Sequence, residues 1–267
     1  MKKLNVSIVL FNSEFNQIVS LINILKSDSS VNNIYLIDNS PKQNDAFQIF
    51  EPNYVFTGKN LGYGAGHNIA IRNTIQEEIK YHLVLNSDIS LDSNVLRVLL
   101  QKIDIDSQIG MIMPKVLNLD GTVQLLPKLL PTPFHLLFRV ISPLGWLFSS
   151  MLEKYTLSNF EAEELNAPII SGCFSLFRVE ALKKVGLFDE SFFMYFEDFD
   201  LSRRIHSTYK TIYYPKVSVI HVHERGAAKS FKLFKIFIKS AIIYFNKYGW
   251  FFDRDRKKIN NSVLNQI

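Results

Sequence analysis

Between Tyr195 and Asp200 the chain reads Tyr-Phe-Glu-Asp-Phe-Asp, placing three carboxylates within four positions, with Phe188, Phe192 and Phe193 close by in sequence. Carboxylates held against apolar surface bind protons more tightly, and one tuned in this way serves as a general base near neutral pH. The same residues also suit the first turn of a helix. Acids there meet the positive end of the helix dipole, and Leu201 and Ile205 continue an apolar stripe. The cluster alone leaves both readings open.

Further chemistry-bearing residues recur where apolar runs end. Asp38 closes Leu36-Ile37-Asp38-Asn39-Ser40. A carboxylate there can accept from a ribose hydroxyl or a pyrimidine imide N–H, or it can build an Asx-turn. Gly58 to Asn68 holds four glycines and two asparagines ahead of a helical stretch. Such a turn lets backbone approach a ligand and offers helix-start N–H groups to anionic oxygens. It is neither a Walker A loop nor a well-spaced dinucleotide fingerprint, and a glycine-rich turn without a ligand is its plainer reading. Asn86-Ser87-Asp88 follows Tyr81 to Leu85, where an exposed carboxylate could hold a divalent cation or cap the helix that starts near Val95. His221 and His223 share one side if the strand Val217 to Ile220 continues, and a neutral imidazole could then complete a cation's ligand set.

Elements that alternate strand and helix must position these groups. Val6 to Leu10, Ile34 to Ile37, Tyr54 to Phe56 and Tyr81 to Leu85 read as strands, and Ile18 to Leu25, Ala65 to Ile79 and Val95 to Ile103 as helices. The pattern predicts an α/β fold with a central, mostly parallel sheet covered by helices on both faces, whose ligands sit at the carboxyl ends of the strands. Asn12 and Ser13, Asp38, the Gly58 turn and Asn86 to Asp88 all fall at such ends. Residues 129–152, with three prolines among Leu, Phe and Trp, read as an irregular apolar insertion. Ile169 to Phe177 reads as a strand, Val179 to Lys184 as a short helix, and Thr211 to Val222 as two short strands around Pro215. The expected division is one domain over 1–228 and a basic amphipathic helix and tail over 229–267.

The chain has 267 residues and 47% hydrophobic content, enough for a substantial core. The single cysteine, Cys173, excludes an internal disulfide, and no Cys/His spacing suits zinc. The apolar run after Met1-Lys2-Lys3 is too short for a signal peptide and lacks a cleavage site, so a cytoplasmic setting is expected. Arg225 to Lys258 holds ten Lys or Arg against Asp253 and Asp255. That local +8, set against +5 overall, leaves −3 on the rest of the chain. Lys229, Lys232, Lys235 and Lys239 recur at helical spacing among Leu233, Phe234, Phe237, Ile238 and Ile242. Such a helix suits the inner face of an anionic membrane, or packing on the domain with solvated lysines, better than it suits nucleic acid.

Taken in order, Val6-Ser7-Ile8-Val9, Ile37-Asp38-Asn39-Ser40, Asn60-Leu61-Gly62-Tyr63-Gly64, Leu85-Asn86-Ser87-Asp88, Ser171-Gly172-Cys173-Phe174, Gly186-Leu187-Phe188-Asp189-Glu190, Phe196-Glu197-Asp198-Phe199-Asp200 and His221 resemble the inverting family-two nucleotide-sugar glycosyltransferases of the GT-A fold, closest to the rhamnosyltransferase-like branch. The resemblance implies that Asp198 is the base, with Glu197 and Asp200 supporting it or binding sugar hydroxyls. Asn12, Asp38, Asn60, Gly62, Gly64, Asn86 and Ser87 would lie on the donor side. Asp88 and His221 would hold a divalent cation, Mg or Mn, that bridges the diphosphate. The implied partners are a nucleoside-diphosphate sugar and a glycan or lipid-linked glycan acceptor, with rhamnose or a related deoxysugar transferred to a bacterial surface-glycan precursor. Asn86 departs from the Asp-x-Asp pattern of related enzymes, and a neutral amide binds a cation less strongly. A nucleotidyltransferase would place a glycine-rich basic loop after the first strand, where this chain has Phe11-Asn12-Ser13-Glu14. A non-catalytic nucleotide-sugar-binding module at the membrane surface would not need Asp88, Asp198 and His221 together.

Overall fold

The computed structural model describes residues 3–140, 149–158, 164–222 and 230–266; His223, Lys229 and 141–148 of the expected insertion lie outside the described residues. One sheet organises the chain. Strands β1 (Leu4–Leu10), β2 (Val31–Asp38), β3 (Tyr54–Phe56) and β4 (Tyr81–Leu85) pair in parallel in the order β3-β2-β1-β4. Helices α1 (Phe15–Ser27) and α2 (Tyr63–Gln76) make the crossovers. The sheet then continues through β8 (Phe174–Arg178), β6 (Ile109–Leu117), β9 (Lys210–His221) and β5 (Ile89–Leu91), and the short β7 (Leu165–Asn166) also joins β9. Only β6 with β9 is parallel in this half, so the sheet is parallel where the first four strands lie and mixed beyond.

Alternation along β1 sets the two faces. Leu4, Val6, Ile8 and Leu10 are fully buried in the main core with Ile18, Leu21, Ile22 and Leu25 of α1, and helix α3 (Val95–Ile105) adds Leu96, Leu99 and Ile103 to it. Each such side chain stabilises the fold by roughly 1.5–3 kcal/mol, and a one-residue slip would turn the set to the wrong face. The opposite face of β1 meets α2 with Asn5, Ser7 and Val9. Gly66 lets that helix approach, since a Cβ there would lie 2.8 Å from a Val9 methyl.

Asn5 and Ser7 are polar because α2 brings them polar partners. Thr74 donates its hydroxyl to the Ala70 carbonyl, so its oxygen accepts from Asn5 Nδ2 and from His82 Nδ1–H. His82 Nε2 therefore accepts from the Ser7 hydroxyl at 2.8 Å, and Ser7 accepts in turn from His67 Nδ1–H at 2.7 Å. Both imidazoles are neutral, and burial pushes His82 down to about 3 and His67 well below its usual range. A folded-state value below the unfolded one means the unfolded chain binds more protons, so stability is lost as pH falls below the unfolded value of about 6.5. The slope approaches ~1.4 kcal/mol per pH unit for His82. Between pH 6.5 and 4.5 the unfolding free energy of His82→Gln is expected to fall less steeply than that of the wild type; parallel slopes in urea titrations would contradict this.

The irregular segments resolve into elements the periodicity did not separate. Thr211 to His221 is one strand and not two. The register of β9 against β6 jumps from Tyr214 opposite Pro114 to Ser218 opposite Lys115, so Pro215 sits in a bulge where its missing N–H breaks no ladder bond. The expected strand from Ile169 begins only at Phe174, because Ile169 forms an isolated bridge to Lys128 and the chain turns before β8. Within 129–152 the described residues form α4 (Pro133–Val140) and the start of α5 (Ser149–Thr156).

Helix α6 (Val179–Val185) precedes α7 (Glu197–His206), and two C-terminal helices, α8 (Phe231–Tyr248) and α9 (Arg254–Leu264), pack on the domain. The inner face of α8 forms a second core through Ala241, Tyr244 and Phe245 with Phe192, Phe196 and Leu136. Asn260 of α9 makes two hydrogen bonds to the Leu130 backbone.

Candidate active site

Backbone strain marks the acidic cluster. Tyr195 and Phe196 both take positive φ, 68° and 66°, immediately before α7. Bulky aromatic residues enter this left-handed region at a cost of roughly 1–3 kcal/mol each, and persist there where the surroundings over-determine them. The surroundings here are the rings of Phe237 and Tyr244 from α8 packed on Phe196, with the Ser240 hydroxyl bonded to the Met194 carbonyl at 2.8 Å. The kink starts α7 abruptly at Glu197.

The three carboxylates then separate by environment. Asp198 accepts backbone N–H bonds from Gly172 at 3.1 Å and Phe199 at 2.9 Å. Burial raises its proton affinity, and these N–H groups and the charge of Lys128 pull it back. Glu197 is buried with Oε2 unbonded among the described residues, and burial plus the neighbouring Asp198 charge hold it well above the usual carboxylate range. Of this coupled pair, Asp198 is the ionised member and Glu197 the protonated one. Asp200, expected beside the base or on a sugar, is 0% exposed and bonded to Arg204, Lys247 and the Tyr248 hydroxyl at 2.7–2.8 Å. It anchors α7 to α8, because the helical turn carries it around to that side.

At the far side of the site, the pairing of β5 with β9 sets Ile89 opposite His221 and so brings Asp88 to the imidazole. His221 Nδ1 lies 3.1 Å from Gln124 Oε1, which can only accept, so Nδ1 carries a proton. Nε2 then faces Asp88 Oδ1 at 3.3 Å and Asn86 Nδ2 at 3.3 Å. The Asn86 amide thus donates to the Nε2 lone pair, and the half-exposed Asp88 carboxylate lies on the same side of the ring. An oxygen donor with an imidazole suits Mg or Mn, with the remaining ligands left to diphosphate and water. Among the described residues no group of three or more His, Cys, Asp or Glu gathers to enclose a metal. Asn86 lies between Tyr63 and the imidazole, with Oδ1 2.9 Å from the Tyr63 hydroxyl and Nδ2 toward His221.

Tyr63 joins the two sides. Its hydroxyl lies 2.9 Å from Asn86 Oδ1 and 2.7 Å from the Gly172 carbonyl, and the Gly172 N–H bonds to Asp198. A continuous path thus runs from Asp88 through His221, Asn86, Tyr63 and Gly172 to Asp198. Burial raises the Tyr63 hydroxyl well above its usual range, so it stays protonated. Gly172 is small because a Cβ would meet the Tyr63 ring at 3.2 Å.

The remaining expected residues frame the strand ends. Asp38 is 1% exposed, accepting from the Ser40 N–H at 3.0 Å and the Tyr54 hydroxyl at 2.8 Å, so the Asx-turn reading is realised. Asn12 lies beside it with φ 52° and its N–H on Ser40 Oγ. Asn60 caps the turn by accepting from the Gly62 N–H at 2.9 Å. The structure gives Gly62 and Gly64 a packing reason distinct from the expected approach to a ligand. Gly62 has φ 93° under the Phe193 carbonyl, and a Cβ on Gly64 would lie 2.8 Å from Phe188. Ser87 is partly exposed between Asn86 and Asp88. Tyr63, expected only as part of the Asn60 to Gly64 turn, and Gln124 and Lys128, which lie in none of the expected motifs, join the site. A lone lysine within the apolar run Leu126 to Pro131 was the legible signal for the last; it is 7% exposed, with Nζ 5.9 Å from the Phe199 ring centre.

A family model described as "Glycosyltransferase like family 2" matches residues 23–235. An N-acetylglucosaminyl-diphospho-decaprenol L-rhamnosyltransferase of Mycobacterium tuberculosis is 28% identical over 185 residues, 64% of this chain and 59% of that protein. A low-salt glycan biosynthesis hexosyltransferase, Agl10, of Haloferax volcanii is 29% identical over 152 residues, 57% of this chain and 45% of that protein. The chain thus spans about half the length of the curated relatives it matches. The crystal structure of GalNAc-T7 with UDP, GalNAc and Mn2+ superposes with a TM-score of 0.58 at 16% identity, covering 83% of this chain and 43% of that one, a likeness of fold alone. The family match, spanning Asp38, Asp88, the kinked start of α7 and His221, shows that the chain belongs to the glycosyltransferase family 2.

Proposed function

We propose that the protein transfers a sugar, rhamnose or a related deoxysugar, from a nucleoside diphosphate to a hydroxyl of a bacterial surface-glycan precursor, with inversion at the anomeric carbon. The observation that carries this reading is the path linking Asp88 and His221 to Asp198, which sets a diphosphate-side pair and a base on one frame. The acceptor oxygen forms its bond to the anomeric carbon as the bond from that carbon to the diphosphate breaks, and Asp198 takes the hydroxyl proton. Glu197, protonated, adds no second negative charge beside it. Asp88 and His221 would hold the divalent cation, which when bound neutralises charge on the leaving diphosphate. Asn12, Asp38, Asn60 and Ser87 border the donor, with residues 1–228 as the catalytic unit and α8 and α9 as its cover. The names of the rhamnosyltransferase and hexosyltransferase relatives support the sugar and glycan classes, and the decaprenol in the first name supports a lipid-linked acceptor.

A thermal-shift screen of nucleotide sugars with and without Mg or Mn tests the reading, because a donor that binds only the folded state raises Tm by linkage. At a donor concentration a hundredfold above Kd the gain is about 2.7 kcal/mol. Asp88→Ala is expected to lose the part of that shift that depends on the cation; an unchanged metal titration would remove Asp88 from this role.

A further inference from the structure

The outer side of α8 is as informative as the inner. Phe231, Lys235, Ile238, Ile242 and Asn246 recur on one exposed stripe, and the Trp250 indole N–H donates to Asn246 Oδ1 at 2.9 Å, extending that stripe past the helix end. Phe251 and Phe252 follow, 63% and 95% exposed, and Phe251 meets the exposed Phe134 of α4 with ring centres 6.1 Å apart. Lys232 and Lys239 flank the stripe, and Arg254, Lys257 and Lys258 begin α9 beyond the aromatic turn. Within 230–266 the acids are Asp253 and Asp255 alone, and Asp253 is taken by Arg203. No helix of the described residues is long and apolar enough to cross a membrane.

We propose that this face, the outer stripe of α8 with the Trp250 to Phe252 turn, lies flat on an anionic lipid bilayer. Aromatic and branched side chains among lysines match the interfacial region, where rings enter the headgroup boundary and ammonium groups meet lipid phosphates. A second copy of the chain fits less well, since an isologous pair would set the same lysines against one another. The proposal deepens the function above by fixing the acceptor's side. The inner face of α8 clamps Phe196 at the start of α7, so Asp198 sits about one helix diameter, ~10 Å, inside the membrane-facing surface. A sugar carried on a lipid diphosphate is presented at that height.

Sedimentation of the full chain with phosphatidylcholine vesicles, with and without phosphatidylglycerol, tests the surface without reference to turnover. Wild type is expected to bind the anionic vesicles and bind pure phosphatidylcholine far more weakly. Lys235→Glu with Lys239→Glu is expected to weaken binding about thirtyfold or more while leaving Tm unchanged. In Trp146→Phe, which leaves Trp250 as the sole tryptophan, emission is expected to shift to the blue on anionic vesicles. Absence of vesicle binding, binding equal for wild type and the charge variant, unchanged Trp250 emission, or a concentration-dependent dimer without vesicle binding would each overturn the proposal. Vesicle binding without any sugar transfer would uphold this surface and sink the proposed activity, so the two failures are separable.

Discussion

Asp198→Asn is expected to lower turnover by a factor of about 10²–10⁴, the usual contribution of a positioned general base, while changing nucleotide-sugar affinity little. The amide keeps the size of the carboxylate and can still accept the Gly172 N–H through its oxygen, so the kinked start of α7 is retained. What it loses is the ability to take a proton. Because burial raises the Asp198 pKa, wild-type turnover is expected to fall as pH drops through that raised value, where the ionised base disappears. The residual activity of Asp198→Asn should lack that limb. Initial rates across pH, with donor affinity measured separately, check both parts. Near-normal turnover in Asp198→Asn would pass the base role to Glu197.

The second large effect falls on stability. Asp253 accepts from Arg203 through both oxygens, each at 2.7 Å, with side chains 3% and 7% exposed, and the guanidinium lies 3.9 Å from the Tyr248 ring centre. Asp253 also caps α9 by accepting from the Arg256 N–H at 3.1 Å. Asp253→Ala is expected to cost about 3–5 kcal/mol, because it strands a buried guanidinium, with ~1 kcal/mol more from the lost cap. Adding Arg203→Met, which removes the stranded charge while keeping apolar volume, should restore much of the loss. Urea unfolding of the single and double variants measures this. A single-variant loss under ~1 kcal/mol would show that the pair is solvated and contributes no more than a surface ion pair. Arg203 and Asp198 share α7, so the single variant should also loosen the base.

The two effects meet in α7, and this explains which parts of the site could be read in advance. The cluster of Glu197, Asp198 and Asp200 is legible because acids among aromatic residues are costly and so call for a reason, whereas the choice of Asp198 within it comes from the resemblance. Asp88 and His221 lay at ends of apolar runs, where an α/β sheet exposes its ligand-binding edge. Asp200 looked equivalent to Asp198 in sequence. Only the helical turn, which carries positions two apart to different sides, gave one to Gly172 and the other to Arg204, Lys247 and Tyr248. The glycines of the Asn60 turn were legible as close approaches. What they approach, the Phe193 carbonyl and the Phe188 ring, comes from more than a hundred residues further along the chain.

Strands β1 to β4, helices α1, α2 and α3, the strand-end placement of Asp38, Asn86 and Asp88, and the acidic entry to α7 are all legible in the sequence. Local hydrophobic period and turn chemistry specify these, and both are written into short windows of residues. The mixed half of the sheet, the continuous β9 with Pro215 in its bulge, the path through Tyr63 and Gly172, and the packing of the inner face of α8 on Phe196 emerge only in the folded chain. Each of these depends on partners distant along the chain, so no window contains the interaction that selects it. The strain at Tyr195 and Phe196 belongs to the same class, since local preference disfavours it and only the packing of α8 holds it in place.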